Sequence, residues 1–260
     1  MPHPLILVSR EGRIGRVVID RPAKRNALDL PMWIALAEAM EGFDADETLA
    51  AVVIEGAGEE ALSAGADIAA FAQERGTPER EAIYGRELGR SFQSIRSCAH
   101  PVVAACRGWT MGGGAGIATM ADFRVGGPST RIGIPARKLN IYYAYGELDP
   151  ILQSVGYAVA MEMLVEGRVF VGEEANAKGF FSHFVPDDQV KAEAWALAQR
   201  IAEGAPLANR HHKRALQELR GELPISPAQL EASLSYPYTE DFHEAARAFV
   251  EKRAPLFKGR

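Results

Sequence analysis

The stretch that most restricts what this chain can fold into is a glycine cluster, Gly108-Trp109-Thr110-Met111-Gly112-Gly113-Gly114-Ala115-Gly116. It follows the uninterrupted apolar run Pro101 to Cys106 and leads into the helix-prone Ile117 to Ala121. A continuous apolar run that includes β-branched Val102 and Val103 suits a strand buried on both faces. The glycines then open a helix whose first turn carries no side chains. Its first N–H groups lack partners and its dipole adds partial positive charge, so an oxygen that becomes negative during a reaction would be stabilised there. Read alone, such a cluster is more often a tight turn or a close-packing site. It does not take the G-x-G-x-x-G form, so a dinucleotide-binding fingerprint is absent.

The rest of the chain supplies the setting. Leu5 to Val8 and Ile14 to Asp20 are short apolar runs around Arg10-Glu11-Gly12-Arg13, the pattern of a hairpin. Arg21 to Leu28 breaks the second strand and leads to a helix with Asp29 as N-cap, Pro31 in its first turn, and Met32, Leu36, Ala39, Met40 and Phe43 on one face. Ala50 to Ile54 is another apolar strand, Pro78 to Ala99 a long helix, and Asp122 to Val125 a further strand. Strands alternating with helices predict an α/β fold with a largely parallel, buried sheet. Ala61 to Ile68 is a small-residue loop after a strand end, where α/β folds place ligands. It resembles a nucleophile elbow at Ser63, but Ala61 stands at the first glycine position, which makes Ser63 structural. From Gly146 the pattern turns helical, with interruptions at Gly167 to Gly172 and Ser182 to Val185, and helices over Val190 to Ala202, Pro206 to about Arg220, and Asp241 to Lys252. The last carries an apolar stripe of Phe242, Ala245, Ala246 and Phe249, which predicts docking on its own core or on a neighbouring subunit. The expected division is a core over 1–200 and a helical region over 201–260.

Composition narrows the function classes. With 47% hydrophobic residues and a net charge of -5 without basic blocks, the chain can bury a large core and shows no nucleic-acid or membrane-surface signature. Met1-Pro2-His3-Pro4 lacks signal-peptide order, and no apolar run reaches membrane-spanning length. The two cysteines, Cys98 and Cys106, form no disulfide framework, which suits a reducing cytoplasm. No histidine pair has metal-ligand spacing, and the histidines are expected to be solvated or satisfied.

Taken in order, Arg21-Pro22…Asn26-Ala27-Leu28, Ser63-Ala64-Gly65-Ala66-Asp67-Ile68, and Gly108…Gly112-Gly113-Gly114 resemble the crotonase superfamily, also called the enoyl-CoA hydratase/isomerase family. The ending from Glu240 to Phe257 resembles that family's C-terminal signature. The resemblance implies a spiral of ββα units with a helical C-terminal region, assembled as a homotrimer or a dimer of trimers. It implies acyl-CoA substrates, no cofactor beyond the coenzyme A of the substrate, no metal, and an oxyanion hole made by the N–H groups of Ala66 and Gly113. Small residues at both positions suit the close approach of a thioester. Coenzyme A would be held by Lys24 and Arg25 and by Ala64, Asp67 and Ile68.

The chain also departs from the family pattern. Family hydratases carry two glutamates, and here those positions are Gly116 and Ala136. A third acidic position of some members falls on Ala144. None of these can transfer a proton, although hydration needs acid/base help. Tyr143 aligns with a tyrosine that lies beside the substrate carboxylate in family decarboxylases, and Glu147 is either a displaced acid/base or a helix N-terminal acid. Small residues at 116, 136 and 144 suggest a roomy acyl pocket, unless Tyr142, Tyr143 and Tyr145 fill it. The expected activity is that of an acyl-CoA lyase or isomerase forming a thioester enolate, the alternatives being a decarboxylase-like lyase using Tyr143 or an inert acyl-CoA binder.

Overall fold

The computed structural model describes residues 3–221, 224 and 226–260, so Met1 and Pro2 of the N-terminal tetrapeptide lie outside the described residues. The first apolar runs form the expected hairpin, β1 (Ile6–Glu11) and β2 (Ile14–Ile19), with only Gly12 and Arg13 in the turn. Three successive groups then repeat a plan of strand, short strand and helix. The first comprises α1 (Leu30–Asp44), then β3 (Ala51–Gly56), β4 (Ala61–Ser63), the one-turn α2 (Phe71–Glu74) and the long α3 (Pro78–Ser97). The second is β5 (Val102–Cys106), β6 (Trp109–Met111) and α4 (Gly113–Met120). The third is β7 (Phe123–Gly126), β8 (Arg131–Gly133) and α5 (Tyr145–Met161), which is broken at Gly156. β9 (Val169–Val171), α6 (Gly172–Ala177), β10 (His183–Phe184) and α7 (Val190–Glu203) follow. The chain ends in α8 (Pro206–Leu219), α9 (Pro227–Ser235) and α10 (Glu240–Glu251).

The longer strands build a six-stranded sheet in the order β1-β2-β3-β5-β7-β10, parallel from β2 onward, and the short strands build a second sheet in the order β4-β6-β8-β9. Each group therefore adds one strand to each sheet before its helix, which is the crotonase-like spiral of ββα units.

The large sheet is covered on both faces. Val52 and Ile54 of β3 and Val102, Ala104 and Cys106 of β5 enter the main core with α1 and α3. The alternate residues Ala51, Val53, Val103 and Ala105 pack under Val190, Ala194, Leu197 and Ala198 of α7. Successive side chains of a strand point to opposite faces, so a strand buried on both sides must be apolar throughout. In α1, Asp29 caps as expected, accepting from the Met32 N–H at 3.2 Å, and the helix buries Met32, Leu36, Met40 and Phe43.

The stripe on α10 turns outward instead of onto the protein's own core. The buried flank is Asp241, Glu244 and Ala248, while Phe249 is 86% exposed. The chain end folds back so that Asp241 accepts from the N–H groups of Lys258 and Gly259, at 2.7 and 2.9 Å, and Glu244 accepts from that of Leu256 at 3.0 Å. These carboxylates pair backbone donors that would otherwise be unsatisfied, which explains why the polar flank is the covered one. Among the described residues, no helix is long and apolar enough to cross a membrane.

Candidate active site

Two loops separated by tens of residues are locked together by buried polar atoms. Asn26, fully buried and at φ 57, accepts from the Arg21 N–H at 2.9 Å and donates to the carbonyls of Ala57 and Ala61 at 3.0 and 2.8 Å. Ser63 donates its hydroxyl to the Asn26 carbonyl at 2.7 Å and accepts from the Gly65 N–H at 3.0 Å, which occupies it structurally. A backbone bridge completes the junction, with Leu28 N–H donating to the Gly65 carbonyl and Asp67 N–H to the Leu28 carbonyl, both at 2.8 Å. Two successive bonds of a parallel bridge leave the intervening N–H, that of Ala66, on the opposite side.

That side faces the start of α4. A Cβ on Gly65, whose φ is 94°, would sit 2.8 Å from the Gly113 nitrogen, so only glycine allows the loop this close to the helix start. Neither the Ala66 nor the Gly113 N–H has an acceptor among the described residues. Both residues line one cavity of about 300 Å³, together with Ala64, Ile68, Ala136, Tyr143, Ala144 and Glu147. Two free amide donors, one at a helix N-terminus, border one pocket whose wall includes Trp33, Phe71, Tyr84 and Phe92.

The whole chain can be set against known proteins on this basis. The family model described as enoyl-CoA hydratase/isomerase matches residues 9–260. The chain belongs to the enoyl-CoA hydratase/isomerase family. A probable enoyl-CoA hydratase of Rhizobium meliloti (strain 1021) is 31% identical, over 100% of both chains. The carnitinyl-CoA dehydratase of Salmonella typhi is 33% identical, over 97% of this chain and 98% of that one. The crystal structure of an enoyl-CoA hydratase/carnithine racemase from Magnetospirillum magneticum superposes with a TM-score of 0.94 at 40% identity, covering 99% of this chain and 97% of the other.

Within this family frame, the three positions without acids differ from one another. Ala136 and Ala144 line the cavity and leave it open. Gly116 does not enlarge it, contrary to expectation: a Cβ there would lie 2.4 Å from Cζ of Phe92, whose ring fills the space. Phe92 in turn packs edge-on against Trp33, with ring centroids 5.6 Å apart. Of the three tyrosines, Tyr145 is 91% exposed, while Tyr142 and Tyr143 border the cavity. Burial pushes the Tyr143 hydroxyl pKa up, and the nearby Glu147 adds to the shift.

The carboxylate of Glu147 accepts from the Ala144 N–H at 2.6 Å, capping α5, and it also lines the cavity. Burial raises its pKa above the ordinary 4.5, with the Ala144 N–H and Arg75 opposing the shift. On the coenzyme side, Lys24 is ion-paired to Asp67 at 2.8 Å, and Asp67 also pairs with Arg21 at 3.0 Å. The Lys24 hydrogen bond holds the Asp67 carboxyl below its usual range. Arg25 lies over the Trp109 ring at 5.1 Å with Arg131 also against that ring at 4.9 Å, so Trp109 packs the turn outside the cavity.

The structure adds residues that the sequence did not single out. Arg75, Glu81, Tyr84, Trp33 and Phe92 all line the cavity. Trp33 donates its indole N–H to the Tyr84 hydroxyl at 3.2 Å, and burial pushes the Tyr84 pKa up to about 12. The signal available for these residues was weak, because Arg75 and Glu81 flank a helix start where charges are ordinarily solvated. His100 is buried, and burial lowers its pKa, with the backbone of Asp46 and Phe43 opposing the shift. Among the described residues no group of three or more His, Cys, Asp or Glu side chains is placed to hold a metal ion.

Proposed function

We propose that this protein is an acyl-CoA thioester enzyme that forms a thioester enolate, with the N–H groups of Ala66 and Gly113 as its oxyanion hole. The observation that carries this reading is the convergence of two amides without acceptors on one cavity. Such preorganised donors act where charge develops and need no reorganisation during the reaction. Lys24 and Arg25 offer cations for the coenzyme A phosphates, Ala64 and Ile68 line the cavity, and Asp67 holds Lys24 beside it. Coenzyme A enters as part of the substrate, and the active form is a cytoplasmic homotrimer or dimer of trimers.

Glu147 takes over proton transfer from the absent glutamate pair. It is a carboxyl that lines the cavity together with Ala136 and Ala144, and burial raises its pKa, the direction useful for acid/base work. On an enoyl thioester the ionised carboxylate would take a proton from water as the water oxygen bonds to the β-carbon, the double-bond electrons would move onto the thioester oxygen as the enolate, and the carboxyl would return the proton to the α-carbon; this is hydration, the activity in the relatives' names. On a saturated thioester the same carboxylate would take and return an α-proton, which is exchange. A second reading, decarboxylation of a malonyl-type thioester, is favoured by Tyr143, which borders the cavity with no hydrogen-bond partner among the described residues. Loss of carbon dioxide generates the enolate directly, so the oxyanion hole suffices for its first step.

The test is exchange of the α-hydrogen of saturated acyl-CoA in deuterated water, followed by mass spectrometry, alongside a panel of enoyl, hydroxyacyl and malonyl thioesters. Deuterium incorporation, with gain or loss of water on the panel, is expected. Loss of carbon dioxide would favour the Tyr143 reading. Binding of every thioester without exchange or turnover would make the protein an inert acyl-CoA binder.

A further inference from the structure

Arg75 is the cation within the cavity wall, and its surroundings fix both its plane and its unused hydrogen-bonding capacity. Its guanidinium carbon lies 4.6 Å from the ring centroid of Phe71 and 4.8 Å from that of Tyr84, so two aromatic faces hold it. Its Nε and Nη2 donate to Glu81 at 2.6 and 2.5 Å, a two-point pair. A guanidinium has five N–H donors, and the remaining three have no acceptor among the described residues, although the side chain is only 18% exposed. A largely buried cation with unused donors requires acceptor oxygens, from water or from a ligand.

Its place in the cavity identifies which part of a ligand it meets. Gly113 packs against Trp33, Trp33 hydrogen-bonds Tyr84, and Tyr84 stacks on Arg75. Two aromatic side chains of the cavity wall thus stand between the guanidinium and the Gly113 amide, which places the cation away from the amide that would meet the thioester. The charge balance also suits an anion. Glu81 is 47% exposed and so screened by solvent, whereas Arg75 is enclosed.

We propose that the cavity takes acyl groups whose end remote from the thioester carries a carboxylate, bound by the free edge of the Arg75 guanidinium. This rests on the acyl-CoA reading above and specifies its substrate class. The probes are adipyl-CoA and hexanoyl-CoA, saturated thioesters of equal carbon count that differ by a terminal carboxylate in place of a methyl. Calorimetric titration of the intact protein is expected to give at least about tenfold tighter binding of adipyl-CoA, the scale of a charge-assisted pair in a desolvated site. Arg75→Gln brings the ratio to about one, while Arg75→Lys keeps part of it. Equal or tighter binding of hexanoyl-CoA by the unaltered protein would overturn the proposal, and so would an Arg75→Gln protein that retains the ratio. If neither thioester binds, the acyl-CoA reading itself fails and the proposal falls with it.

Discussion

At Gly116, where the family resemblance implies an acid, the Phe92 ring occupies the space a side chain would need. Gly116→Glu alone should therefore overpack the core, costing about 1–3 kcal/mol in urea denaturation and gaining no activity. Adding Phe92→Ala should recover part of that stability. Glu147→Gln keeps an oxygen able to accept from the Ala144 N–H but cannot exchange protons. Turnover should fall by roughly a hundredfold to ten-thousandfold with little change in denaturation midpoint near neutral pH. As a base, Glu147 must start ionised, so kcat/KM should rise with pH through its raised pKa, and the variant should lack that limb. The same shift has a stability consequence of defined sign. A carboxyl with its folded pKa raised above 4.5 favours the folded state below that value and loses this contribution as pH rises through the folded pKa. The stability of the unaltered protein relative to Glu147→Gln should fall across that window.

At the scale of elements, the loop before α1 is tied to the turn between β3 and β4 because the Asn26 side chain joins the Arg21 N–H to the carbonyls of Ala57 and Ala61, and to the loop after β4 because Leu28 bridges Gly65 and Asp67. Asn26→Ala leaves those groups buried and unpaired, which should cost on the order of 3 kcal/mol in chemical denaturation. It should also weaken thioester binding, since Ala66 is aligned by the same junction. Much of this scaffold was legible in the sequence. β5 announces itself because burial on both faces demands apolar residues throughout, and α1 because Asp29 and Pro31 satisfy and preset a helix start. Arg75 and Glu81 were not legible, because charges around a helix start look solvated until the fold brings Phe71 and Tyr84 against the guanidinium.

For the whole molecule, the helical C-terminal region leaves much apolar surface uncovered. Phe249 is 86% exposed, Val250 80%, Leu234 77% and Tyr238 85%. Patches of this kind commonly mark contacts between chains. Phe249→Glu should accordingly shift the mass measured by light scattering toward the monomer, with the far-ultraviolet dichroism of the fold retained. An unaltered oligomer would show that this face is not the one that assembles.

By itself, the sequence determined the α/β class, the order of strands and helices, the bare start of α4 and the absence of acids at positions 116, 136 and 144. These follow from periodicity, capping and turn chemistry, which act between residues a few positions apart. Only the tertiary structure decided that Ala66 and Gly113 share a cavity, that Phe92 fills the place left by Gly116, that Arg75 lies in the cavity wall and that the α10 stripe faces outward. Those outcomes depend on which distant side chains compete for the same space and the same hydrogen bonds. That competition exists only once the chain has closed on itself.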